Sequence, residues 1–351
     1  MRTTLITGGA GFIGSNLADR LVRAGRRVIV FDNLSRQGAE HNLEWLQNEH
    51  GSAIEFHQAD IRNRSSIRRA LAGVDQVFHF AAQVAVTTSL TNAIEDFDIN
   101  AGGTLNLLEE IRSSRMQPGL IFTSTNKVYG QLDDLEMRPG GSRYESPDPT
   151  IRYQGISEQR RLDFHSPYGC SKGSADQYVL DYARTFGVRA TVFRMSCIYG
   201  PHQYGNEDQG WVAHFLIRAL ENSPVTIYGD GLQVRDILYI DDLLDAFQLA
   251  EEHIDKISGE AFNIGGGPKN TVSLRELLGL IESVNGRRVG VRNEAWRAAD
   301  QRYYVSDTRK FEARTGWRRN FDVHRGVRAL YDWLSAARSN KVVAAGQRVL
   351  A

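Results

Sequence analysis

Residues 7–14 read Thr7-Gly8-Gly9-Ala10-Gly11-Phe12-Ile13-Gly14. They follow a short apolar run at 4–7. They open an amphipathic stretch in which Leu17, Leu21 and Val22 share a helical stripe that stops near Gly25. The glycines fall in the pattern Gly-x-x-Gly-x-x-Gly. Gly8 permits the tight turn out of the strand, Gly11 lets backbone approach a pyrophosphate on the helix N-terminus, and Gly14 lets helix pack closely on strand. Phe12 and Ile13 belong to the same turn and are counted with it. A glycine pattern alone is weak evidence, and a tight turn without a ligand is the alternative. Its place between a strand and a helix is the confirming context.

Working outward, further strand-like runs occur at 27–31, 54–57, 76–80 and 120–122. Helical stretches separate them; Leu105, Leu107, Leu108 and Ile111 mark one. Such alternation predicts an α/β fold with a doubly wound parallel sheet. A long helix is expected over 171–186 and another strand over 190–194. Between them the pattern fades from 131 to 166, where Pro139, Gly140, Gly141, Pro147 and Pro149 fall; segments of this kind are functional or disordered. The polar tail from about Ala336 is expected to fray.

At 351 residues the chain can bury one large core or two closely packed ones. A hydrophobic content of 41%, a charged content of 24% and a formal net charge of zero fit a globular protein and disfavour a general nucleic-acid binder. The start, Met1-Arg2-Thr3-Thr4-Leu5-Ile6, lacks a signal-peptide layout, and no apolar run reaches membrane-spanning length. The two cysteines, Cys170 and Cys197, read as reduced thiols of a cytoplasmic protein. The nine histidines show no metal-ligand spacing, so no metal is expected.

Asp32 ends the second strand 18 residues after Gly14. A carboxylate there bonds ribose hydroxyls and repels a 2′-phosphate, which favours NAD over NADP. Asn33 and Ser35 follow in the same loop, and Arg36 pulls the other way. Asp60-Ile61 brackets an adenine or caps a strand. Ala81-Ala82-Gln83 ends the fourth strand with residues small enough for close cofactor approach, or for plain packing. Tyr168 and Lys172, four apart, share a helical face. An ammonium beside the phenol favours the phenolate and makes Tyr168 a base nearer neutral pH. Thr125, at the end of the fifth strand, offers a hydroxyl to the substrate, and Lys172 can also hold the nicotinamide ribose.

Together, Thr7 to Gly14, Thr125 and Tyr168-x-x-x-Lys172 resemble the extended short-chain dehydrogenase/reductase superfamily over about residues 1–335. Asn100-Ala101-Gly102-Gly103-Thr104, Arg235-Asp236 and Phe262-Asn263-Ile264-Gly265-Gly266 resemble its further landmarks. The resemblance implies a Rossmann domain, at 1–195 and about 232–270, that binds NAD. A smaller, discontinuous C-terminal domain, at about 196–231 and 271–335, would bind a nucleotide sugar, leaving 336–351 as a tail. It adds Asn100 to the cofactor set. Arg235 and Arg302 join the substrate set, because Asp300-Gln301-Arg302 resembles the segment whose arginine binds the diphosphate. Arg194 reads as structural. Many relatives carry Asn where Cys197 stands, so a side-chain amide contact to the diphosphate is missing here.

The 4,6-dehydratases of this superfamily carry Thr-Asp-Glu before Val-Tyr-Gly, an acidic pair that expels a hydroxyl and removes a proton. This chain has Thr125-Asn126-Lys127, which disfavours dehydration on chemical grounds. Six longer stretches are similar to the CDP-paratose (CDP-tyvelose) 2-epimerase family: 31–36, 83–89, 124–130, 162–173, 208–212 and 300–302. That resemblance implies inversion at C2 of a CDP-hexose through transient oxidation. Tyr168 would be the base, Lys172 its electrostatic partner and Thr125 the positioning hydroxyl. Gln83, Ser124, Asn126 and His165 would hold the sugar, and Gln209, Trp211 and Val212 the nucleotide. A homo-oligomer, dimer or tetramer, is expected by analogy. The competing readings are a UDP-hexose 4-epimerase and a non-catalytic NAD-binding sensor.

Overall fold

The computed structural model describes residues 2–297 and 300–349, with side chains described as far as 338. Five short runs of β-branched and aromatic residues form the first strands: β1 (Thr3–Thr7), β2 (Arg27–Asp32), β3 (Ile54–Gln58), β4 (Gln76–His79) and β5 (Gly119–Thr125). The strands Ala190–Met195 and Ala261–Ile264 complete a seven-stranded sheet. Its order is 261–264, 190–195, β5, β4, β1, β2, β3, and every pairing is parallel. The chain winds outward from β1 to β3, then returns to β4 on the other side of β1. That reversal opens a crevice at the carboxyl ends of the strands, where ligands of such sheets bind. Helices cover both faces, and each face has its own apolar core.

β5 runs longer than its apolar core predicts. Thr123, Ser124 and Thr125 stay in register with Phe193, Arg194 and Met195. The three hydroxyls beyond Phe122 are therefore fixed on a strand, and the polar turn begins only at Asn126. The helix Ser166–Phe186 carries Pro167 in its first turn and stops at Gly187, which is left-handed at φ 69°. Beneath it, Arg194 grips Asp176 through two 2.9 Å bonds and reaches the Tyr129 hydroxyl at 3.2 Å, all buried.

After Met195 the chain leaves the large sheet. Cys197–Tyr199 pairs with Val234–Tyr239, which also pairs with Thr271–Ser273 and Tyr303–Tyr304. Val225–Tyr228 and Val291–Glu294 form a separate pair. The segment 232–270 is thus split: its first strand joins this small sheet, while Ala261–Ile264 joins the large one. The pattern-poor region after Gly130 is ordered. It holds a small hairpin (Arg138–Pro139 with Tyr144–Glu145) and the helix Pro149–Gln154. Tyr144 and Ile156 pack with Leu232, Val234 and Tyr304 in two small apolar clusters. The tail, expected to fray, is helical to Val349 within the helix Val323–Val349. Its run of Ala, Lys, Arg and Val contains no proline to stop it.

Candidate active site

The crevice has three connected parts, and Val84 and Gln209 border all of them. The first is an open cleft that runs from the glycine turn to the loops of Asp32 and Asp60. Gly8 has φ +69°, and a Cβ there would stand 2.7 Å from Ala81 N. A Cβ on Gly14 would stand 2.6 Å from Gly9 Cα. Gly11 caps the helix Phe12–Arg23, whose first turn holds no acidic residue, so its N–H groups suit a pyrophosphate. Asp32 lines this part. Its carboxylate accepts from Ala10 N at 3.0 Å and Leu34 N at 2.8 Å, while burial raises its pKa. Phe12, Ile13, Asn33, Ser35, Arg36, Asp60, Ile61, Ala81 and Ala82 line it too. Asp60 is also engaged elsewhere. Arg62 and Asn33 bond it, and Arg62 first among causes lowers it to about 2. A glycine cradle with no room for side chains, an open helix end and a terminal carboxylate fit NAD.

The second part joins this cleft to the substrate side. Ser124, Thr125, Tyr168 and Lys172 line it, with Trp211 and Val212 opposite. The Thr125 hydroxyl accepts from Lys127 N at 3.2 Å, donates to Asn126 Oδ1 at 3.3 Å and stands beside the Tyr168 phenol on the same wall. Tyr168 is further fixed by its N–H, which donates to Ser89 Oγ at 3.2 Å. The Ser124 hydroxyl and Gln203 Oε1 are buried without a protein partner among the described residues, so both await a ligand. The electrostatics correct one expectation. Burial pushes the Tyr168 phenol up to about 12, with Thr125 and Arg36 pulling it down. Lys172 does not favour the phenolate here. Its ammonium donates to Thr123 O at 2.7 Å, lies 4.3 Å from the Phe122 ring centre, and is itself lowered by burial to about 7.

The third part is assembled from scattered segments. Asn126, Lys127, Cys197, Gln209, Trp211, Arg235, Arg297 and Asp300 line it, together with Thr125 and Tyr168. Asn126 Nδ2 donates to Gln301 Oε1 at 3.3 Å, and Gln301 Nε2 to Gly130 O at 2.6 Å, so the amide pins the turn that presents Lys127. Trp211 Nε1 donates to Cys197 Sγ at 3.3 Å. Arg36 crosses from the cofactor loop to Gln209. Among the described residues no cluster of His, Cys, Asp or Glu could hold a metal, and no helix is long and apolar enough to cross a membrane.

Five expected site residues fall outside these walls: Gly14, which packs on the glycine turn itself, and four others. Gln83 spends its side chain on Ala85 and Asp96, closing its own loop. Asn100 bonds both backbone groups of Gln83, and Asp96 and Ser171, so it supports the crevice from behind. His165 is exposed just before the helix Ser166–Phe186. Arg302 is exposed between buried Gln301 and Tyr303 and lies over the Tyr144 and Trp296 rings. Sequence reasoning missed Gln203 and Arg297. The first follows Tyr199-Gly200-Pro201, a turn signal after a strand; the second carries no local signal.

A profile of the NAD dependent epimerase/dehydratase family matches residues 4–265. A CDP-paratose 2-epimerase from Salmonella typhi is 45% identical over 339 residues, covering 95% of this chain and 99% of that one. The crystal structure of a UDP-glucose 4-epimerase with UDP-glucose from Thermotoga maritima superposes with a TM-score of 0.81 at 31% identity, covering 95% of this chain and 99% of the other. A UDP-glucuronic acid 4-epimerase from Bacillus cereus, in complex with UDP-glucuronic acid and NAD, gives a TM-score of 0.81 at 28% identity with the same coverage.

Proposed function

The chain belongs to the NAD-dependent epimerase/dehydratase family, and on that premise we propose that it is an isomerase inverting C2 of a CDP-hexose, the CDP-paratose/CDP-tyvelose pair. The observation that carries this reading is the wall beside Thr125 and Tyr168, where Asn126 and Lys127 stand at the two positions that hold the Asp-Glu pair in the 4,6-dehydratases. The 45% identity to a CDP-paratose 2-epimerase supports the choice of sugar and base.

Tyr168 takes the proton of the C2 hydroxyl, and Thr125, beside it on the same wall, orients that hydroxyl. NAD, when bound, supplies the hydride acceptor and donor and a positive ring charge that favours the phenolate. Gly8, Gly11 and the first turn of the helix Phe12–Arg23 would hold its pyrophosphate, and Asp32 its ribose. Lys172 stands beneath the site, anchored on Thr123 O. Once C2 is a ketone, the sugar turns in the cavity and offers its other face. Tyr168 then returns its proton to the C2 oxygen, so one acid/base group serves both directions.

NMR of the purified protein with CDP-paratose and no added cofactor tests this. The expected product is inverted at C2. Inversion at C4 of a UDP-hexose, with CDP-paratose untouched, would establish the 4-epimerase reading instead. Bound NAD with no turnover across CDP-, UDP- and GDP-hexoses would leave a sensor.

A further inference from the structure

We propose that Lys127 binds the sugar-linked phosphate of the substrate and so holds C2, rather than C4, against Tyr168. The inference rests on the C2 reading above and deepens it.

The first support is the charge on one wall. Lys127 lies two residues past Thr125, on the turn Asn126–Tyr129, and lines the same cavity as Thr125 and Tyr168. Arg235 and Asp300 line that cavity as well, and Arg235 Nη2 donates to Asp300 Oδ1 at 2.7 Å. Arg297, Glu207 and Asp208 line it too. Burial lowers Lys127 to about 8, with Asp300 opposing that shift and Arg235 adding to it. Lys127 and Arg235 thus lie within each other's field on one poorly solvated wall, and a phosphate placed between them is attracted by both.

The second support is the geometry of the sugar. C2 is bonded to the anomeric carbon, whose oxygen carries the phosphorus. When the C2 hydroxyl meets Tyr168 and Thr125, the phosphate must stand at the same end of the cavity. When C4 reacts, the ring lies between the tyrosine and the phosphate. An ammonium beside the catalytic threonine therefore meets the phosphate in the C2 orientation. Lysine also suits the turning of the sugar. Its three donors rotate about a point charge, whereas a guanidinium fork fixes one plane.

The test is calorimetric titration of the NAD-loaded enzyme with CDP and with CMP, which lacks the second phosphate. Wild type, Lys127→Gln and Lys127→Arg are compared. The proposal predicts that Lys127→Gln weakens CDP by about tenfold or more, the scale of a charged hydrogen bond. CMP affinity and NAD content should stay as in wild type, and Lys127→Arg should restore most of the CDP affinity. Unchanged CDP binding overturns the contact, and so does an equal loss for CDP and CMP. The readout needs no turnover, so it separates from the functional reading. C2 inversion by wild type with CDP binding intact in Lys127→Gln would leave the function and remove the contact. Loss of CDP affinity in that variant, with wild type inverting C4 of a UDP-hexose, would keep the contact and overturn its role in choosing C2.

Discussion

The two sides of the crevice are built from different materials. The cofactor side is made of backbone and small side chains at the ends of consecutive strands β1 to β4, where Gly8 abuts Ala81 and the helix end points inward. The substrate side is made of long polar and charged side chains, Lys127, Arg235, Arg297 and Asp300, brought from segments far apart in the chain. A wall of backbone recognises the parts every dinucleotide shares, and it tolerates no added volume. A wall of side chains can be re-specified one residue at a time without disturbing the sheet beneath. The family's range of substrates on one cofactor follows from that division.

The largest effect falls on the seam between the two sides. Tyr168→Phe removes the proton-transfer group and should lower kcat by about 10³-fold, within the range of general acid–base catalysis. NAD content should be unchanged, because the cofactor wall is untouched. Turnover at the wild-type rate would break the mechanism.

Next is the scaffold both sides share. Arg194→Met leaves the buried Asp176 carboxylate without its bidentate partner. It should cost about 3–5 kcal/mol in denaturant unfolding. A loss under 1 kcal/mol would mean that water reaches Asp176, and the two sides would not rest on one rigid floor.

Gly14→Ala tests the backbone wall directly. The added methyl meets the Gly9 backbone, which cannot move as a side chain can. A cost of about 1–3 kcal/mol is expected, with loss of bound NAD on purification. Retained CDP affinity in the same variant would sharpen the comparison by showing that the substrate side stands alone.

The smallest effect belongs to Asp60 at the rim. Its folded pKa lies near 2, below the ordinary carboxylate value, because Arg62 bonds it. The stabilisation is therefore present above about pH 4 and is lost as pH falls through about 2. The pair is partly exposed, so Asp60→Asn should cost under about 1 kcal/mol at neutral pH. The gap between wild type and variant should close on acidification.

The division of materials also explains what could be read from the chain alone. Gly8, Gly11, Gly14 and Asp32 announce themselves because backbone recognition needs particular residues at fixed spacing. Tyr168 and Lys172 do so through helical spacing on one segment. Gln83 and Asn100 have the right neighbourhood, yet they serve the loop rather than the ligand, because the Asn100 amide bonds the Gln83 backbone and both amides donate to Asp96. Arg302 is two residues from Asp300 on the cavity wall, yet its guanidinium lies over the Tyr144 and Trp296 rings instead. Arg297 and Gln203 enter through tertiary folding alone. The Lys172 effect on Tyr168 failed for a physical reason: four residues of spacing set a shared face, but Thr123 O captured the ammonium.

The central claim is that C2 is oxidised and reduced within one bound sugar while Tyr168 moves only the hydroxyl proton. It is tested most directly with CDP-paratose carrying deuterium at C2, followed by mass spectrometry and NMR of the epimerised product in ordinary water. The account predicts that the deuterium remains at C2 of the inverted sugar. Its loss to solvent would contradict the account, since the carbon-bound hydrogen would then have left as a proton.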